Sequence, residues 1–173
     1  MTRHPGGEAL TKKLLELGGL SPCRVLDMGA GDGETVSLLR SLGFDAVGID
    51  KNGTDGIVRG DFFRCPYPDR SFDAVLSECA FFVSGDPCAA LREAARLLPP
   101  GGKLLVSDVN FEKSEGMKAT ITSAGFRVLV FEDETDAWRK YYIECLWNGT
   151  ADPICTYARG RKCGYYLAVC ERI

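Results

Sequence analysis

Residues 23–50 read CRVLDMGAGDGETVSLLRSLGFDAVGID, and no other stretch of the chain narrows the fold as sharply. The apolar pair Val25-Leu26 ends in Asp27 and passes into a turn with glycines at 29, 31 and 33. An amphipathic segment follows, then a second apolar run over 46–49 that closes on Asp50. Strand, glycine turn, helix, strand and acidic tip make up half of a nucleotide-binding α/β unit. Glycine in such a turn lets the main chain approach a ligand with no Cβ in the way. A carboxylate at the tip of the second strand can accept both hydroxyls of a ribose. Taken alone, the same glycines also fit a tight turn without a ligand.

The spacing separates two kinds of nucleoside ligand. A dinucleotide site uses G-x-G-x-x-G with a helix N-terminus facing a pyrophosphate. Here the pattern is D-x-G-x-G-x-G, and Glu34 follows at the start of the helix. A carboxylate there suits the positive end of the helix dipole but repels a diphosphate. With Asp27 at the tip of the first strand, both acids match a ligand carrying an ammonium and a sulfonium better than a nicotinamide dinucleotide.

Val25-Leu26-Asp27-Met28-Gly29-Ala30-Gly31-Asp32-Gly33 resembles motif I of the class I S-adenosylmethionine-dependent methyltransferases. Gly48-Ile49-Asp50, Gly60-Asp61-Phe62, Phe72-Asp73-Ala74-Val75-Leu76-Ser77 and the turn from Leu98 through Gly102 into Val106 follow in that family's order, over about residues 20–131. The ending, 164–173, is similar to its last strand. The resemblance implies a Rossmann-like three-layer sandwich whose seven-stranded, mainly parallel sheet has the order 3-2-1-4-5-7-6, with the last strand antiparallel. It implies S-adenosylmethionine as cofactor, S-adenosylhomocysteine as product and a small-molecule methyl acceptor.

Carried over residue by residue, Gly29, Ala30 and Gly31 pass under the methionine portion, and Asp27 supports the turn and the amino group. Asp50 accepts the ribose hydroxyls, and Lys51 or Asn52 lies against the adenine. Asp61 accepts from the adenine amino group, and Phe62 bounds the ring. Ser77 belongs to the end of the fourth strand, whose backbone faces the methionine amino group. Glu78 and Cys79 sit where the acceptor approaches and are the catalytic candidates. The plain alternatives are a solvated loop acid for Glu78 and a small residue chosen for space for Cys79. A methyl transfer needs a base only if the acceptor keeps a proton that it cannot lose to water.

The remaining signals are mostly exclusions. With 173 residues the chain suits one domain with one well-buried core. A net charge of −3 gives no basic field for nucleic acid. No apolar run approaches the roughly 20 residues of a membrane helix, and the first residues lack a signal-peptide core. The cytoplasm is therefore expected, with no membrane partner. The eight cysteines form no C-x-x-C pair. They read as free thiols, most of them small buried residues, and no metal site is expected. His4, the only histidine, falls near the terminus and is expected to have no role.

Periodicity places an N-terminal helix over 7–18 within a segment 1–20. Strands are expected near 24–28, 45–49, 56–59, 72–77, 102–108, 126–131 and 164–171, with helices near 33–42, 86–97 and 114–124. Such alternation implies a mainly parallel sheet covered on both faces, with ligands beyond the strands' carboxyl ends at the switch point beside the first strand. A helix-loop insertion over 132–163 precedes the last strand. Its Trp138, Tyr141, Tyr142, Cys145 and Leu146 mark a helix, and Trp138, Tyr141 and Trp147 are either pocket wall or plain core or dimer surface. A loop over 150–164 follows, where Arg159, Arg161 and Lys162 are expected to favour thiolate at Cys155 and Cys163. Thiolates could hold trivalent arsenic for methylation, which makes arsenite a competing acceptor. The enzyme is expected to be a monomer or homodimer; a cofactor-binding regulatory subunit, methylating nothing and contacting a partner through its aromatic late helix, is the non-enzymatic alternative.

Overall fold

The structure, a computed structural model, describes residues 4–111, 114–149 and 153–173. The chain opens with helix α1 (Gly7–Gly18), then strand β1 (Arg24–Met28), helix α2 (Glu34–Ser41) and strands β2 (Asp45–Asp50), β3 (Ile57–Arg59) and β4 (Ala74–Glu78). Helix α3 (Pro87–Leu97), strand β5 (Lys103–Asn110), helix α4 (Ser114–Ser123) and strand β6 (Phe126–Asp133) follow. Helices α5 (Thr135–Asn148) and α6 (Pro153–Ala158) precede the last strand, β7 (Gly164–Arg172). The seven strands form one sheet in the order β3-β2-β1-β4-β5-β7-β6, as the resemblance implies. β7 runs antiparallel to both β5 and β6, and the other pairings are parallel.

Parallel strands buried on both faces need continuous apolar sequence, and β1, β4 and β5 supply it. Along β5 the period-two alternation sends Leu105 and Val109 to one face and Leu104 and Val106 to the other. The first face packs against α1, α2, α5 and α6 through Leu14, Leu39, Trp138, Tyr141 and Ile154. The second packs against α3 and α4 through Leu91, Ala94, Met117 and Ile121. α3 starts where Asp86 accepts the Ala89 N–H at 2.9 Å and Pro87 occupies the first turn.

One expectation changes here, and one open alternative is decided. The connection over 150–164 is not all loop, because Pro153–Ala158 forms α6 and buries Ile154, Cys155 and Ala158; residues 150–152 lie outside the described residues. Trp147 walls no pocket: it is 89% exposed on α5 beside exposed Ile143 and Leu146, whereas Trp138 and Tyr141 face the core. No described helix is long and apolar enough to cross a membrane.

Candidate functional site

β1, β2 and β4 end side by side, and the turn after β1 is tied to β2 by its own backbone. The amides of Gly29 and Ala30 both donate to the Ile49 carbonyl, at 2.9 and 3.1 Å. The Gly31 amide donates to Asp50 Oδ2 at 3.1 Å, and the Asn52 amide to Asp50 Oδ1 at 2.8 Å. Asp50 therefore shapes both the glycine turn and the chain reversal beyond its own strand. Gly29 and Gly31 both have positive φ but different surroundings. A Cβ on Gly29 would lie 2.3 Å from the Ala80 Cβ, while one on Gly31 would meet nothing within 4 Å. Gly29 is bare for packing; Gly31 is bare against open space.

That space belongs to a cleft of about 810 Å³. It is lined by Asp27, Gly29, Ala30, Gly31, Asp50, Lys51, Asn52, Asp61, Phe62, Glu78 and Cys79. The candidates from four separate motifs thus converge on one cleft, with Lys51 and Asn52 exposed at its rim. Asp61 accepts the Phe63 amide at 2.9 Å, and the Phe62 ring packs 4.8 Å from Phe63 and 6.0 Å from Phe81. Ser77 is the exception. It is fully buried, its hydroxyl donates to the Met28 carbonyl at 2.8 Å, and it is not part of the cleft lining.

Glu78 is no solvated loop acid. It is the last residue of β4, paired with Ser107, and its side chain is 5% exposed. Its carboxylate accepts from Thr35 Oγ1 at 2.9 Å, Thr11 Oγ1 at 3.1 Å and Ser107 Oγ at 3.4 Å. His4, expected to have no role, lines the cleft, with Nε2 3.7 Å from Glu78 Oε2, an ion pair when the imidazole is protonated. Next to this hub, Asp27 is buried and its Oδ2 has no hydrogen-bond partner. Burial holds the Asp27 carboxyl well above the usual carboxylate range, and Glu78 and then Asp50 push it the same way. With Asp32 and Glu34 the cleft gathers six acids, against Lys51 and Arg59. A bound cation would relieve this repulsion and give the orphaned oxygen a partner.

Several contributors went unnoticed in the sequence. Asp108 is fully buried in β5 and accepts the Phe82 amide at 3.0 Å and the Val109 amide at 2.8 Å, which fixes the loop after β4. Its pKa is pushed up to about 7 by burial, against the pull of backbone N–H groups from Ala80 to Phe82. The signal was present as a polar pair, Ser107-Asp108, inside the otherwise apolar run of β5. Cys79 takes a left-handed conformation, φ 56°, with its thiol 3.2 Å from the Tyr165 hydroxyl, which donates to Ser107 Oγ at 3.0 Å. Tyr165 lies 86 residues further along, so nothing local announced it.

A second cavity, about 660 Å³, opens between the end of β5, α5 and the segment after α6. Its lining includes Cys163, whose pKa is not lowered as expected. Burial raises it, outweighing a hydrogen bond from Trp138 and the charge of Arg161. Cys155, on α6 itself, is buried in the core. All eight cysteines are free thiols. Among the described residues, no group of three or more His, Cys, Asp or Glu side chains could hold a metal ion.

A family model described as a methyltransferase domain matches residues 3–142. The chain is 31% identical over 125 residues to malonyl-[acyl-carrier protein] O-methyltransferase 1 of Coxiella burnetii, covering 68% of this chain and 44% of that protein. It is 34% identical over 116 residues to an arsenite methyltransferase of Aquipseudomonas alcaligenes, covering 52% of this chain and 34% of that one. It thus spans less than half the length of either relative. Among solved structures it is similar to phosphoethanolamine N-methyltransferase 2 of Haemonchus contortus in complex with S-adenosyl-L-methionine. The TM-score is 0.76 at 16% identity, over 98% of this chain and 53% of that one, a likeness of fold.

Proposed function

This chain belongs to the class I S-adenosylmethionine-dependent methyltransferase family, and on that premise we propose that it transfers a methyl group from S-adenosylmethionine to a small-molecule acceptor, at N, S, O or a metalloid, releasing S-adenosylhomocysteine. One observation carries the reading: the partnerless, buried Asp27 Oδ2 beside the open space at Gly31, in a cleft closed by Asp50. These residues fit the cofactor, because an ammonium satisfies the orphaned oxygen and a Cβ would intrude on the cradle. Bound there, S-adenosylmethionine would supply an electrophilic methyl group on a sulfonium whose departure needs no acid.

The chain's own residues would bind and orient. The turn 29–31 passes the methionine portion, with Asp27 receiving its amino group. Asp50 accepts the ribose hydroxyls with the lone pairs left free by the Gly31 and Asn52 amides. Asp61 accepts from the adenine amino group and Phe62 covers the ring. Cys79 and Glu78 border the acceptor's approach, where holding nucleophile, carbon and leaving group in line supplies most of the rate. Glu78, whose oxygens accept from three hydroxyls, is better placed to fix the border of the acceptor's approach than to remove a proton. Residues 1–173 would act as one methyltransferase domain, in which α1 and the insertion 132–163 wall the acceptor site. Monomer and homodimer both fit this site. Eight free thiols suit a reducing compartment, which supports the cytoplasm as its place.

The arsenite reading is weaker, because Cys79 and Cys163 line different cavities and Cys155 faces the core. Calorimetry with S-adenosylhomocysteine tests the proposal. Binding to the full chain is expected, and Asp50→Ala should weaken it by about 1.5–3 kcal/mol per charge-assisted hydrogen bond lost, with the circular dichroism spectrum retained. Unchanged affinity removes Asp50 from the site. Tighter binding of a nicotinamide dinucleotide replaces the reading by a dehydrogenase. Cofactor binding without methyl transfer to any acceptor leaves a regulatory subunit.

A further inference from the structure

We propose that the second cavity is a binding site for a flat, apolar anion, a carboxylate or phosphate on an aromatic or unsaturated body, and that it holds the far end of the methyl acceptor. This rests on the methyltransferase reading for the word acceptor, but not for the site itself.

Charge is the first argument. The described lining carries Arg139, Arg161 and Lys162 and no carboxylate, in a chain whose net charge is −3. The cofactor cleft has the opposite composition, with six acids against two such cations. The molecule therefore sorts its charges into one acidic and one basic recess. The Arg139 ion pair with Asp136, at 2.9 Å between exposed side chains, offsets little of the Arg139 charge. Shape is the second argument. Phe111, Trp138 and Tyr142 wall the cavity, with the Arg161 guanidinium 4.2 Å from the Phe111 ring centroid and Trp138 buried. Aromatic faces take flat apolar bodies, and the cations at the mouth take an anionic group.

Position is the third argument. α6 presents Ile154 to the cofactor cleft and Ala158 to the second cavity. Four residues of helix rise about 6 Å, so the two recesses share one thin wall. On the sheet, Glu78 pairs with Ser107, and Asn110, three residues further along β5, lines the second cavity. That places its edge about 10 Å beyond the tip of β4. Trp138 stacks on Tyr165, whose hydroxyl meets the Cys79 thiol, so a single ring pair links the two recesses.

The test titrates naphthoate, naphthyl phosphate and neutral naphthylmethanol calorimetrically into the full chain, with S-adenosylhomocysteine titrated in parallel. At least one anion should bind about tenfold more tightly than the alcohol. The double variant Arg161→Gln/Lys162→Gln should lose that preference while keeping S-adenosylhomocysteine affinity within about twofold. Should the double variant fail to fold, Arg139→Gln, exposed on α5, serves instead and should weaken the anion by about threefold. Equal affinity for all three probes, no binding, or a preference that survives the substitutions overturns the anion site. Asp50→Ala, by contrast, should lose S-adenosylhomocysteine and keep the naphthoate preference. Wild type that binds the anion but not S-adenosylhomocysteine refutes the acceptor role and the reading beneath it.

Discussion

Gly29 and Gly31 stand two residues apart in one turn, and an identical substitution at each should report different things. Alanine at Gly29 meets the Ala80 Cβ and a positive φ together. Gly29→Ala is therefore expected to destabilise the fold by about 2–5 kcal/mol, measured by urea unfolding. Alanine at Gly31 meets no atom within 4 Å and costs only its left-handed backbone, about 1 kcal/mol. It places a methyl group in the cradle, however, so Gly31→Ala should weaken S-adenosylhomocysteine about tenfold or more while leaving a folded protein. If the two variants behave alike, the turn serves packing only. The same distinction separates Ser77 from its neighbours: its place in the motif was legible, but its hydroxyl serves the β1–β4 junction.

β5 and α5 carry what the local motifs did not announce. Asp108 turns the middle of an apolar strand into the anchor of the loop that borders the cleft. Unfolded, its carboxyl loses a proton near 3.8; folded, it keeps it to about 7. Between those values the folded state binds more protons, so this contribution is fully present below about pH 4 and is lost as pH rises towards 7. The loss is on the order of 4 kcal/mol. Asp27 acts in the same direction, so the comparison of wild type with Asp108→Asn isolates the one residue. Urea unfolding at about pH 5 and about pH 8 should show the wild type losing more stability than Asp108→Asn. Parallel pH profiles would remove Asp108 as the source. On α5, the side chains divide by helical period: Trp138, Tyr141 and Cys145 face the core, while Ile143, Leu146 and Trp147 face outward. The sequence marked that helix but not which of its aromatic residues it would bury.

Across the whole molecule, the cleft is assembled from the ends of β1, β2 and β4, the loops after β1, β2, β3 and β4, the first turn of α2, and His4 and Ile154, so a ligand seated there braces most of the sheet's carboxyl edge. S-adenosylhomocysteine at about 100 times its dissociation constant should stabilise the fold by about 2.7 kcal/mol, raising the melting temperature by about 5–10 °C. Differential scanning calorimetry checks this, and Gly31→Ala at the same ligand concentration should show little shift. The sequence by itself determined the glycine turn and the carboxylates at neighbouring strand tips, because each is written in a short run whose periodicity and turn chemistry are local; the strand order was implied only through the family resemblance that those runs carry. Tertiary structure alone decided that Glu78 is a buried hub, that His4 covers it, and that Tyr165 meets Cys79. It also decided that three cations close round an aromatic cavity. Those partners lie tens of residues apart in sequence, and whether a carboxylate ends solvated or enclosed depends on which distant hydroxyls the packed sheet delivers to it.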